Sequence, residues 1–114
     1  MSVVIWHNPR CSKSRDTLAL LEAEGITPEV RLYLKDPPDP DELSEALGLL
    51  GIAARDLIRT GEKRYRELGL TSDTEDEVLI AAMTSEPILI ERPIVFNGEK
   101  AAIGRPPRAV LDIL

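Results

Sequence analysis

The sequence predicts an α/β fold, a mixed four-stranded sheet with helices on it and a helical block inserted midway. Three observations carry this. The apolar run Val3-Val4-Ile5-Trp6 has the pattern of a strand buried on both faces. A second extended stretch follows after a helical crossover, and strand, helix and strand in that order favour a parallel pair. Near the end, Pro93-Ile94-Val95-Phe96 and Ala101-Ala102-Ile103 flank Asn97-Gly98, the signal of an antiparallel hairpin.

Taken in order, residues 11–24 read as the first helix, with Leu18 and Leu21 facing inward and Gly25 stopping it. Residues 29–34 begin by alternating charged with apolar side chains, which predicts the second strand. Asp36-Pro37-Pro38-Asp39-Pro40 then breaks the chain. Asp39 as N-cap, Pro40 at the first helical position and Glu42 three residues after the cap make a strong helix start. Leu43, Ala46, Leu47 and Leu50 follow at i, i+3, i+4 and i+7, so the helix is amphipathic. Shorter helical pieces are expected over 53–58 and 63–68, and Thr74 with Glu77 repeats the capping pattern before a helix ending ahead of Pro87. Asn97-Gly98 suits a type I′ turn, and Arg105-Pro106-Pro107 opens a last helix through Leu111 and Leu114. The order is β-α-β, a helical block over about 39–86, then β-β-α. That is a thioredoxin-like (glutaredoxin-like) core interrupted by helices, read as a single domain over 1–114.

Bulk properties narrow the function. A chain of 114 residues supports one core and is too short for two ordinary domains. Net charge of -6 argues against a nucleic-acid-binding surface, so any anion site is a local basic pocket. One cysteine cannot form an internal disulfide and one histidine adds little, so no metal site is expected. With no signal-like N-terminus and no long apolar segment, the expectation is a cytoplasmic protein without a membrane partner.

Within this acidic chain the first fifteen residues carry no carboxylate; Asp16 is the first. His7-Asn8-Pro9-Arg10-Cys11-Ser12-Lys13-Ser14-Arg15 therefore surrounds the lone thiol with three fixed positive charges at a strand-to-helix junction. A helix N-terminus or nearby cations lower a thiol pKa from about 8.5 into the range of about 3.5–7.5. A value of about 6 multiplies the thiolate fraction about 30-fold, and the loss of nucleophilicity returns about tenfold. The positive cluster is thus better suited to holding an anionic substrate, and to making Cys11 a good leaving group, than to activation alone. A buried structural cysteine is the competing reading, and the basic flanks fit it poorly.

Arg92 and Arg105 each precede a proline at an element boundary, which biases both towards extended backbone. Arg59 follows Leu57-Ile58 at an expected helix end, where capping by the dipole also explains a cation. His7 stands on the loop leaving the first strand, where it tunes the thiol or serves as an ordinary loop histidine. No Gly-rich phosphate loop and no G-x-S-x-G elbow occurs, and Thr17 occupies the arginine position of C-x5-R. Ser14 stands where C-x-x-C has its second cysteine, so any intermediate on Cys11 needs a thiol from outside the chain.

The motifs His-Asn-Pro-Arg-Cys-Ser-Lys-Ser-Arg, Leu-Tyr-Leu-Lys-Asp-Pro-Pro, Glu-Arg-Pro-Ile-Val and Ile-Gly-Arg-Pro-Pro occur in that order. They resemble the glutaredoxin-coupled arsenate reductase family of bacteria, and its shorter arsenate-reductase-like branch in particular. The resemblance covers essentially the whole chain and implies a thioredoxin fold with a helical insertion. It implies that Cys11 is the nucleophile, that Arg59, Arg92 and Arg105 bind the oxyanion, that His7 lies near the thiol and that Pro93 is a cis-proline. It further implies an arsenic-detoxifying enzyme with arsenate as substrate, glutathione as co-substrate, glutaredoxin as partner and no bound cofactor; a monomer is expected. Two other readings stay open: a regulator that binds RNA polymerase through the same scaffold, and a thiol reductase with another substrate.

Overall fold

The computed structural model describes residues 2–114. Their backbone divides into two compact units, one made of the chain up to Asp36 together with Arg92–Leu114, the other of Pro37–Glu91. The inserted unit thus begins two residues before the expected block and ends five after it.

In the first unit, β1 (Val3–Trp6) leads through α1 (Ser12–Ala23) to β2 (Glu29–Arg31), and later β3 (Ile94–Asn97) pairs with β4 (Lys100–Ile103). The strand order is β2-β1-β3-β4. β1 runs parallel to β2, with Ile5 opposite Val30, and antiparallel to β3, with Ile5 opposite Val95. The sheet is therefore mixed, as the strand–helix–strand start and the hairpin end require. Val3, Ile5, Leu21, Val95 and Val110 form its core, with Leu18, Ile26 and Ile113 packed against them. Each such side chain contributes roughly 1.5–3 kcal/mol when fully buried. Gly25 closes α1 at φ 80°, a conformation that a side chain would strain.

Three expectations for this unit need correction. Asn97 pairs directly with Lys100, so the central residues of the hairpin turn are Gly98 and Glu99. Gly98 has φ 62° and, among the described residues, no non-glycine residue has positive φ, so the turn lacks the two left-handed residues of type I′. Asn97 stays in the strand because its side-chain amide donates to the Ile113 carbonyl at 2.7 Å. The last segment, Pro107–Ile113, is a 3₁₀ helix rather than an α-helix. The second strand also stops at Arg31, three residues short of the expected end.

In the inserted unit, α2 (Pro40–Leu50) starts with the expected reciprocal cap: Asp39 accepts from the Glu42 amide at 2.8 Å, and Glu42 accepts from the Asp39 amide at 3.1 Å. α3 (Ala54–Leu57) and α4 (Lys63–Glu67) are single turns, and α5 (Asp76–Ser85) packs against α2 and α3. α5 is not capped by Thr74. Its N-cap is Glu75, and the Thr74 hydroxyl instead accepts from the Thr71 amide at 2.9 Å, closing a local turn before the helix. After a short 3₁₀ turn (Pro87–Leu89), Ile90 bridges antiparallel to Ile58. The flanking hydrogen bonds Arg59 N to Leu89 O (2.7 Å) and Glu91 N to Leu57 O (3.0 Å) fix Arg59 alongside Glu91.

Candidate active site

Cys11 is the N-cap residue of α1, with extended backbone (φ -94°, ψ 122°) and no side-chain capping hydrogen bond. The first turn therefore keeps amide donors that no side-chain oxygen occupies. The turn also has no acidic residue, where a helix start ordinarily favours one. Burial pushes the Cys11 thiol up, but the Ser14 amide, a hydrogen bond from Arg92, the Lys13 amide and the Arg92 charge together outweigh it. The net shift is downward from the ordinary thiol value. Cys11 is partly buried, and its thiolate form is favoured over that of an ordinary free thiol.

The hairpin side supplies the arginines. Both Arg92-Pro93 and Arg105-Pro106 are cis peptides. The Arg105 Nε donates to the Arg92 carbonyl at 2.8 Å, and its Nη2 lies 3.5 Å from Cys11 Sγ. The outer arginine is thus held by the backbone of the inner one. Guanidinium suits this double duty because its donors form a rigid planar fork.

His7 and Ser14 are buried together beneath the thiol loop. His7 Nδ1 and Ser14 Oγ are 2.6 Å apart, and the same oxygen accepts from the Asn8 amide at 3.0 Å. Burial, then the Arg15 charge, lower the His7 pKa, so the charged ring is disfavoured beside Ser14. Their hydrogen bond pins Ser14, whose own amide reaches the sulfur. Asn8 Oδ1 accepts from the Arg10 amide and Asn8 O from the Cys11 amide, both at 3.0 Å, closing the loop that presents the thiol.

Cys11, Arg92, Arg105, His7, Ser14 and Pro93 therefore gather in one unit. Arg59 stands in the inserted unit, its Nε 3.2 Å from Glu62 Oε1 and its Nη1 2.8 Å from Glu91 Oε1. Sequence reading passed over Asn8, the cis bond at Pro106, Thr17 and Gly104. Among the described residues no group of three His, Cys, Asp or Glu side chains could hold a metal ion, and no helix is long and apolar enough to cross a membrane.

A mixed sheet with a parallel β-α-β start, an antiparallel hairpin end and one thiol at the first helix N-terminus defines a thioredoxin-like protein with a single cysteine at that helix start. The chain belongs to the ArsC family, whose pattern it matches over residues 6–113. It is 50% identical to an arsenate reductase of Haemophilus influenzae over 116 residues, covering 100% of both chains. It is 53% identical to the uncharacterized protein YfgD of Escherichia coli K12, covering 98% of this chain and 96% of that one. The solved structure of an arsenate reductase from Vibrio cholerae superposes with a TM-score of 0.96 at 52% identity, covering 100% of this chain and 98% of that one.

Proposed function

We propose that the protein is an arsenate reductase that draws its electrons from glutathione and glutaredoxin. The observation that carries this reading is the sulfur of Cys11, reached by the Ser14 and Lys13 amides and by the guanidinium groups of Arg92 and Arg105. A doubly charged tetraoxo anion needs donors on several oxygens, and these groups converge where the attacked atom would sit. Arg59 is proposed as an oxyanion-binding residue by family resemblance alone, with Glu62 and Glu91 fixing the plane of its guanidinium.

In the proposed cycle, Cys11 thiolate attacks arsenate and forms a sulfur–arsenic(V) bond, while the protonated arsenate oxygen takes a second proton from solvent and leaves as water. Glutathione thiolate then attacks the Cys11 sulfur. The sulfur–arsenic bond breaks with its electron pair staying on arsenic, which leaves as arsenite, and Cys11 becomes a mixed disulfide with glutathione. A glutaredoxin thiol attacks the glutathione sulfur and returns Cys11 as thiolate, a better leaving group for its lowered pKa. The two electrons gained by arsenic come from external thiols, since the chain has no second cysteine. His7 and Ser14 hold the thiol loop and take no part in bond making.

Purified protein with arsenate, glutathione, glutaredoxin and glutathione reductase is expected to oxidise NADPH, and Cys11→Ser to abolish this. No turnover by the wild type, or equal rates for both proteins, rejects the proposal.

A further inference from the structure

Gly104 is buried immediately before Arg105, and no left-handed backbone requires a glycine there. Space does. A methyl group at this position would lie 2.5 Å from Thr17 Oγ1, 3.1 Å from Thr17 Cγ2 and 2.8 Å from Pro93 Cγ. Two of these are closer than packed atoms approach, so one partner would have to move. Gly48 and Gly61, also outside the left-handed region, have nothing within 4 Å of the same position.

The partners matter because of what they carry. Pro93 follows Arg92, and the Gly104 amide donates to the Pro93 carbonyl at 2.9 Å, so the two arginine-bearing segments are tied here. Thr17 is fully buried on α1, and its hydroxyl donates to the Lys13 carbonyl at 2.8 Å. Lys13 in turn supplies one of the amides that reach the sulfur. A single point of contact therefore joins the turn that holds the thiolate to both segments that bring positive charge to it.

We propose that Gly104 and Thr17 are positioning residues, and that their contact, closed by the Pro93 ring, is the spacer setting how near Arg92 and Arg105 come to Cys11 Sγ. The inference deepens the oxyanion reading of these arginines and rests on it. At 3.5 Å the Arg105–sulfur contact is within ordinary reach of a sulfur acceptor, and a shift of about an ångström breaks it.

The test compares wild type, Gly104→Ala and the double variant Thr17→Ala/Gly104→Ala, which removes both threonine contacts while leaving the one to Pro93. Cys11 is alkylated with neutral iodoacetamide and with anionic iodoacetate across pH, and folding is followed by thermal melting. In folded Gly104→Ala the apparent thiol pKa rises, and reaction with iodoacetamide at about pH 6.5 slows by about three- to tenfold. The iodoacetate-to-iodoacetamide rate ratio falls because the arginines have withdrawn, and the double variant recovers at least half of both losses. A Gly104→Ala protein that titrates like wild type overturns the inference, as does a double variant no better than the single one. If Gly104→Ala does not fold, the double variant decides alone: a near-wild-type profile supports the spacer, and an unfolded protein or an ordinary thiol pKa overturns it. Neither reagent needs arsenate, so failure here is separate from failure of the NADPH assay.

Discussion

Arg105 meets Cys11 at 3.5 Å while its Nε is anchored at 2.8 Å to the carbonyl of Arg92, so the two arginines act as one assembly against the sulfur. Lysine at this position keeps the charge but has a single nitrogen, which cannot occupy both places. Arg105→Lys is expected to lower kcat/KM for arsenate by about tenfold to a hundredfold with the fold intact. The coupled NADPH assay beside a thermal melt checks this; retained kcat/KM contradicts the double contact.

Thiolate stabilisation also predicts a pH dependence of folding. The Cys11 pKa is lowered in the folded protein, so between that value and the unfolded value of about 8.5 the unfolded chain binds more protons. Stability from this group is fully present above the unfolded value and is lost as pH falls through the folded one. The difference in unfolding free energy between wild type and Cys11→Ser is therefore expected to grow with rising pH across that window and level off above it. Urea titrations at a series of pH values read this directly, and a difference independent of pH counts against it.

Ser14 serves two buried neighbours with one hydroxyl, sharing a hydrogen bond with His7 Nδ1 and accepting from the Asn8 amide. Ser14→Ala leaves both without this partner at a site where water has little access. The expected loss is about 1–3 kcal/mol of stability in chemical denaturation. The thiol loop should loosen as well, which faster amide exchange at Asn8 would report.

Gly48 offers the opposite case to Gly104. It lies exposed inside α2, outside the left-handed region, and a methyl group there would meet nothing within 4 Å. Gly48→Ala is expected to stabilise the protein by about 0.5–1 kcal/mol through helix propensity, leaving the alkylation profile of Cys11 unchanged. A destabilised protein would show that the surface of α2 is covered.

Much of the architecture was legible because local signals and tertiary structure agree. Val3 to Trp6 is apolar on every position and becomes a central strand, and Asp39-Pro40 with Glu42 carries a complete helix start in four residues. The reading failed where a distant partner decides. Asn97 looked like a turn residue, but its amide is claimed by the Ile113 carbonyl, sixteen residues away, and the turn moves on to Gly98. Thr74 had the right spacing for a cap, yet the Thr71 amide, three residues back, takes its hydroxyl.

The site divides in the same way. The charge around Cys11 is written in contiguous sequence, and so is the absence of a second thiol. The burial of Ser14 against His7 depends on how α1 follows the loop after β1, and the contact of Thr17 with Gly104 on how α1 lies against the hairpin segment. No local pattern encodes that packing. A threonine in mid-helix and a glycine before an arginine look unremarkable until the fold brings them together.

The most direct test is the rate of Cys11 modification by iodoacetamide as a function of pH, measured with and without arsenate. The account predicts an apparent pKa below the free-thiol value of about 8.5 and slower modification when arsenate occupies the pocket. A pKa at or above that value, with no protection by arsenate, would contradict it.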